Sequence, residues 1–285
     1  MNEVNLIKVF VKESGGGNPV PLVADASEMS SDDMRKVAQH YGHESCFVMP
    51  VSDPMCDYHL RFFVPEHEME MCGHATVGTM WALRHWGLWH ENTACVQTLS
   101  GRVHVAWDEP TQRVWISQPP VTVEALSDDQ AQLITRVLGL PAGAEILSVV
   151  NAATSRVKTL IRLADTTVLN TLMPDFSSIK MACEAIGSTG LYPFAKSSTG
   201  HFSARQFPKS SGYPEDAATG IAAAALWGHL ANGGEVDPTA VCSITQGEAM
   251  GCPSLIEVKA RYDHEGMAAG CWLSGEVIWA ALSSH

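Results

Sequence analysis

Two apolar runs in this chain echo each other, and they limit what it can fold into. Cys72-Gly73-His74-Ala75-Thr76 opens one that reaches Leu83, and Thr219-Gly220-Ile221-Ala222 opens another that reaches Ala231. Neither contains Asp, Glu, Lys or Arg, and each follows a carboxylate-bearing approach: Glu68 and Glu70 before the first, Glu215 and Asp216 before the second. Each is long enough for about three helical turns. A helix that is apolar nearly all round has to be enclosed, so each half of the chain must wrap other elements around it. Each run also starts at small residues, where the first backbone N–H groups lack helical partners and the dipole places roughly half a positive charge. Such a terminus is a ready anion site. Two of them, one per half and facing across a cleft, would hold a small carboxylate-bearing substrate between acid–base side chains.

The length of 285 residues suits about two domains. With 46% hydrophobic and 17% charged residues the chain can bury a substantial core. A net charge of −13 argues against nucleic acid or an anionic membrane as partner. It also means that an anionic substrate has to be held by local features against the global field. No apolar stretch reaches the ~18 residues of a membrane span, and the start MNEVNLIKVF lacks a basic segment followed by an apolar core, so a cytoplasmic location is expected. The eight cysteines show no CxxC pair and read as reduced thiols, most of them small core residues.

Residues 4–11 read as a strand, followed by the Gly15-Gly16-Gly17-Asn18-Pro19 turn and a second strand from Val20 to Ala24. Ser30 or Ser31 then caps a helix reaching about His40, with Asp32 and Asp33 in its first turn. Strands are predicted at 46–50 and 58–64, and, after the first apolar run, near 94–99, 102–107 and 113–117. Gln118-Pro119-Pro120 is the candidate boundary, giving domains 1–118 and 119–285, with the last strand a candidate to return to the first domain. Ser127-Asp128-Asp129 then starts a helix to about Gly139. The second half repeats the programme: strands near 145–151 and 156–163, a helix near 175–185, strands near 190–196 and 201–207, the second apolar run, and strands near 241–247, 254–261 and 270–281. Many short strands with one buried helix per half predict an α+β fold of two related domains, each a curved sheet or barrel around its helix. Aligning Cys72-Gly73 with Thr219-Gly220 sets Met80 against Trp227 and Leu83 against Leu230.

The triple-glycine turn lacks a Gly-Lys-Ser/Thr ending and a GxGxxG pattern, so a nucleotide role is not expected; Asn18 is a candidate substrate contact at the cleft. His67 to His74 glances at a zinc motif, but HExxH needs a histidine at 71, which is Met71, so no metal is expected. His74 lies in the first turn of a buried helix beside Cys72, where the terminus disfavours the imidazolium and makes a neutral hydrogen-bonding imidazole the expected role. The same terminus favours thiolate at Cys72, a candidate base. Its counterpart Thr219 is not one, which removes a symmetrical two-thiol mechanism. Glu44 lies between a helix and the core-directed Cys46-Phe47-Val48-Met49, so desolvation at a cleft wall would raise its pKa towards a useful range. Asp216 precedes the second run and reads both as an acid–base group and as a helix cap.

Taken in order, Gly17-Asn18-Pro19, Glu44-Ser45-Cys46-Phe47, Arg61-Phe62-Phe63-Val64-Pro65 with Glu68, Cys72-Gly73-His74-Ala75-Thr76, Gly190-Leu191-Tyr192-Pro193-Phe194, Arg205-Gln206-Phe207 and Glu215-Asp216-Ala217-Ala218-Thr219-Gly220 resemble the phenazine-biosynthesis PhzF-like family over nearly the whole chain. The resemblance implies a diaminopimelate epimerase-like fold of two barrel domains with the active site between them. It also implies cofactor-free proton transfer and a homodimer. The family's catalytic glutamate falls on Glu44, its histidine on His74 and its aspartate on Asp216. The family's type reaction isomerises a dihydro-hydroxyanthranilate. Ile221 stands where a serine commonly follows Thr-Gly, Ala217 replaces a common proline, and Gly251-Cys252-Pro253 lacks an expected arginine. Losing a cleft arginine removes a bidentate carboxylate clamp, so the anthranilate-type substrate is not carried over, and Arg205 is the candidate to compensate.

The residues together predict an isomerase moving a proton at carbon in a small carboxylate-bearing substrate. Glu44 is the principal acid–base group, with His74 and Asp216 as partners. Asn18, Cys72, Gly73, Ala75, Thr219, Gly220 and Ile221 line the substrate, and no cofactor is involved. An epimerase using Cys72 and a catalytically silent binding module are the alternatives.

Overall fold

The structure, a computed structural model, describes residues 3–141 and 143–280. They form two compact units: one takes the described residues through Ser117 and again from Ser274, the other is Gln118–Leu273.

The first unit runs β1 (Asn5–Val9), β2 (Asn18–Val23), α1 (Ser31–Tyr41), β3 (Ser45–Met49), β4 (Tyr58–Phe63), β5 (Glu68–Met69), α2 (Gly73–His85), β6 (Thr93–Thr98), β7 (Gly101–Asp108) and β8 (Arg113–Gln118). Strand senses alternate along the sheet. β1–β2 is antiparallel, β2–β3 parallel, β3–β4 antiparallel, β4–β6 parallel and β6–β7 antiparallel. Parallel neighbours cannot be joined by a tight turn and need a crossover, and the two helices supply them. α1 starts at a full capping box on Ser30 and Asp33 and lays Met34 and Ala38 on Val23, Phe47 and Phe63 of the outer sheet face. α2 is the enclosed one: every residue from Gly73 to Leu83 is buried, against β1, β2 and β3. The approach is close enough that a Cβ on Gly78 would lie 2.6 Å from Ile7 Cδ1 and Val9 Cγ2.

The second unit runs β9 (Thr122–Ala125), α3 (Asp128–Val137), β10 (Ile146–Ala153), β11 (Val157–Leu163), α4 (Thr166–Thr171), α5 (Phe176–Ala185), β12 (Gly190–Ser198), β13 (His201–Ala204), β14 (Phe207–Pro208), α6 (Gly220–Asn232), β15 (Cys242–Gln246), β16 (Ser254–Tyr262) and β17 (Ala268–Ser274). Its pairings β10–β11, β11–β12, β12–β13, β13–β15 and β15–β16 are antiparallel, parallel, antiparallel, parallel and antiparallel, the order of the first unit. α6 packs against β10, β11 and β16, while α3, α4 and α5 close an outer core on Ile161, Leu163, Leu191 and Phe207. The fold is α+β: each unit is a mostly antiparallel, barrel-like sheet around a central helix.

Registers set the repeat residue by residue. Leu22 pairs with Cys46 as Leu160 pairs with Tyr192. Cys46 faces Phe62, and continuing the Phe194–Ala204 register by two steps sets Tyr192 against Gln206. Arg61 therefore corresponds to Arg205 and Glu44 to Gly190. The two helix starts, Gly73 and Gly220, match Cys72 with Thr219 and His74 with Ile221.

The single strand expected at 270–281 is two. β17 ends at Ser274, and β18 (Val277–Trp279) follows Gly275-Glu276 and pairs antiparallel with β1 of the first unit. Residue 281 lies outside the described residues. Among the described residues, no helix is long and apolar enough to cross a membrane.

Candidate active site

Cys72 caps α2 with extended backbone and no side-chain cap hydrogen bond. Its carbonyl accepts from the Thr76 amide at 3.0 Å and from Thr76 Oγ1 at 2.8 Å, which pins the first turn. The amides of buried Gly73, His74 and Ala75 stand at this electropositive tip. The His74 ring lies between two groups: Cys72 Sγ is 3.4 Å from Nδ1, and Glu44 Oε2 is 3.4 Å from Nε2. Glu44 arrives from another element. α1 stops at Gly42 in the left-handed region, φ 69°, and three residues later buried Ser45 begins β3. The His74 and Glu44 side chains are 5% and 11% exposed, so the pair is desolvated yet open at Glu44. His43 next to it is half-buried, and burial first, then the neighbouring His74, hold its pKa below the ordinary value.

Glu44, Cys72 and His74 offer three donor atoms within 4.8 Å of one another. Thiolate, imidazole and carboxylate form a zinc-compatible donor set. HExxH ligands lie along one helix, whereas this trio is assembled from two elements.

In the second unit the approach to α6 is held by Gln246, which is fully buried. Its Nε2 donates to the Asp216 carbonyl at 2.7 Å and to Thr219 Oγ1 at 3.1 Å. Its Oε1 accepts from the Thr219 amide at 3.2 Å and from the Tyr192 hydroxyl at 3.1 Å. Burial first, then the charge of Asp216, pushes the Tyr192 phenol up, so it stays a neutral donor. Gly247 follows at φ 80°, where a Cβ would lie 2.3 Å from the Cys252 carbonyl oxygen and 2.9 Å from that of Ala217. Asp216 is not the helix cap: that position is Thr219, whose hydroxyl donates to Asp216 Oδ2 at 2.5 Å. The hydroxyl at the helix start thereby holds the Asp216 carboxylate. Gly220 is buried, and Thr219 and Ile221 are half-buried. Gln246 and Tyr192 had no assigned role in the sequence; the one signal was the Gly190–Phe194 motif around Tyr192, because an amide's partners depend on tertiary placement.

The compensating role expected of Arg205 is overturned. It is buried, grips Glu215 through Nε at 2.8 Å and NH2 at 2.7 Å, and gives NH1 to the carbonyls of Leu169 and Leu172. Its repeat partner Arg61 grips Glu68 in the same way, at 2.6 and 2.7 Å. In each unit the clamped glutamate stands four residues before the helix cap, so these arginines anchor the approach segments. Asn18 is buried at the first position of β2, at the same end of the parallel β2–β3 pair as Glu44. The structure thus unites Glu44, Cys72 and His74 in one cluster and Asp216 and Thr219 in another.

A sheet wrapped around a buried helix in each unit, with a Cys–His–Glu cluster at one uncapped helix start, defines the diaminopimelate epimerase-like class of fold. Residues 7–276 match the profile of the PhzC-PhzF family of phenazine biosynthesis-like proteins, and the chain belongs to that family. It is 31% identical over 263 residues to an uncharacterized isomerase of Deinococcus radiodurans, covering 89% of this chain and 85% of the relative. It is 29% identical over 278 residues to the trans-2,3-dihydro-3-hydroxyanthranilate isomerase of Pseudomonas aeruginosa, covering 94% of each. The crystal structure of a PhzF-family protein from Bacillus anthracis superposes with a TM-score of 0.82 at 22% identity, covering 98% of this chain and 96% of the other.

Proposed function

We propose that this chain is an isomerase that moves a proton between carbons on one face of a small carboxylate-bearing substrate, with the Glu44–Cys72–His74 cluster carrying the transfer and Asp216 as a further acid–base group. One observation carries this: at three matched positions of the repeat the acid–base side chain stands in the first unit. Where the first unit has Glu44, Cys72 and His74, the second has Gly190, Thr219 and Ile221. A single base suits removal and return of a proton on the same face, whereas racemisation generally uses bases on opposite faces.

Glu44 takes the proton from carbon and returns it at the neighbouring position. His74, in contact with Glu44 through Nε2, orients the carboxylate and shares the proton. The charge that develops on the substrate is met by the backbone amides at the electropositive start of α2, preorganised donors that cost no rearrangement. Those amides also hold the substrate carboxylate, because Arg205 and Arg61 are both engaged. These groups complete the reaction with no added cofactor, and the family resemblance points to a homodimer. The Pseudomonas aeruginosa relative supports a cyclic unsaturated acid as the substrate class.

The test is solvent deuterium exchange into a panel of cyclic and amino acids, including trans-2,3-dihydro-3-hydroxyanthranilate. Exchange at carbon is expected with the wild-type chain, and Glu44→Gln should lower it by roughly 10²–10⁴-fold. Exchange into none of the panel would favour a silent binding module. Undiminished exchange in Glu44→Gln would remove Glu44 as the base.

A further inference from the structure

The chain carries a second reactive constellation, away from the trio. Cys56 lies just ahead of β4, and Cys95 is in β6. The two strands are parallel, with Tyr58 beside Val96 and His59 beside Gln97. Pairing reaches back to Asp57, whose amide donates to the Cys95 carbonyl at 2.8 Å while its carboxylate accepts from the Cys95 amide at 2.8 Å. Cys56 closes a turn onto the Asp53 carbonyl at 3.0 Å, which swings its side chain across the strand gap. The two sulfurs come to 2.8 Å. Neighbouring strands lie about 4.8 Å apart and rise about 3.3 Å per residue, so these two Cα atoms, one register step apart, fall near the middle of the ~4.4–6.8 Å span a disulfide needs. Both cysteines are half-buried, whereas Cys46, Cys72, Cys183, Cys242 and Cys271 are buried.

We propose that Cys56 and Cys95 are a redox modification site, closed to a disulfide by a peroxide and reopened by a dithiol. One thiolate attacks a peroxide oxygen; an S–O bond forms, the O–O bond breaks and a water leaves once protonated, giving a sulfenic acid. The second sulfur then attacks the sulfenic sulfur; the S–S bond forms, the S–O bond breaks and the second water leaves with the thiol proton. Each sulfur loses one electron, and the peroxide takes both. Burial first, then the Cys95 thiol and the charge of Asp53, pushes the Cys56 thiol up to about 12, so the reduced pair rests largely protonated on that side. The bond would tie together the two ends of the β4–α2–β6 crossover, the segment that presents Cys72 and His74. The chain between the two cysteines would lose freedom when unfolded.

The experiment treats the full chain with hydrogen peroxide, blocks remaining thiols with iodoacetamide and maps non-reduced peptides by mass spectrometry. A peptide pair joined through Cys56 and Cys95 is expected, two hydrogens lighter than the reduced pair and released by dithiothreitol. The joined pair should be absent in Cys56→Ser, and the melting temperature should rise on oxidation in the wild type but not in that variant. Recovery of Cys56 and Cys95 as alkylated or over-oxidised residues in the wild type, never joined, would overturn the proposal, and this readout depends on no variant folding.

Discussion

Cys72 and Thr219 occupy the same place at the start of two matching helices, one a thiol and the other a hydroxyl. If Cys72 were the base of an epimerase, Cys72→Ser would cost about as much exchange as Glu44→Gln. With Glu44 as the base, the thiol acts through the His74 ring, whose Nδ1 lies 3.4 Å from its sulfur, and Cys72→Ser should retain exchange within about tenfold of wild type, roughly the effect of one lost hydrogen bond. Deuterium exchange rates of the two variants under one condition separate the cases. The arginines give a second contrast. The Arg205 and Glu215 side chains are 8% and 9% exposed, those of Arg61 and Glu68 20% and 23%. Removing one partner of a buried pair strands the other charge and costs roughly 3–5 kcal/mol, while more exposed pairs contribute about 0–1 kcal/mol. Glu215→Gln should therefore lower the urea midpoint far more than Glu68→Gln, and equal shifts would show that the deeper clamp is not holding its segment. The sequence displayed Glu44, His74 and Asp216 because their neighbours form motifs. It did not display the engagement of Arg205, because an arginine on a strand looks the same whether it meets water, substrate or a glutamate ten residues away.

At the scale of elements, long periodic segments were readable and short ones were not. α2 and α6 follow from runs without a charge, and α1 follows from Ser30 with Asp33 in its first turn. β9, by contrast, is a fully exposed four-residue strand after two prolines, with no alternation to mark it, and it exists because β10 offers an edge. α4 has six residues and is started by Asp165 accepting from the Val168 amide, a local cap with no apolar stripe behind it. The break between β17 and β18 is set by the partner strand each one finds, which no local pattern encodes. The closeness of α2 to β1 yields a prediction of its own. Alanine is a better helix former than glycine by about 1 kcal/mol, so on propensity Gly78→Ala should stabilise the protein. The added Cβ meets Val9 Cγ2 at 2.6 Å, and Val9 is stiff at χ1 and held between β2 and β18. Overpacking costs roughly 1–3 kcal/mol. The sum is a destabilised protein, visible as a lower melting temperature; a rise would mean that α2 slides freely on the sheet.

For the molecule as a whole, the repeated order of strand senses shows that the chain is one supersecondary programme used twice, with the Glu44–Cys72–His74 cluster in the first copy. The second copy instead carries a titrating group with a stability role. His229 lies in the last turn of α6, where Glu235 and Arg162, themselves paired at 2.7 Å, face it. Burial lowers its pKa from the ordinary 6.5, Glu235 opposes that, and Arg162 adds to it. Its folded pKa therefore lies below its unfolded one. Well above pH 6.5 the group is neutral in both states and contributes no slope. As the pH falls below that value the unfolded chain takes up a proton that the folded chain refuses, so unfolding becomes easier until the pH passes the folded pKa. His43 shifts in the same direction and adds to the loss. Urea midpoints of the wild type should thus fall on acidification from just above 6.5, well before exposed carboxylates such as Asp33 and Asp175, whose pKa values are held below the ordinary 3.8, begin to protonate. His229→Gln keeps a polar side chain that does not titrate, so its midpoint should fall less over the same interval. Parallel curves for the two proteins would mean that the burial of His229 exacts no proton-linked cost.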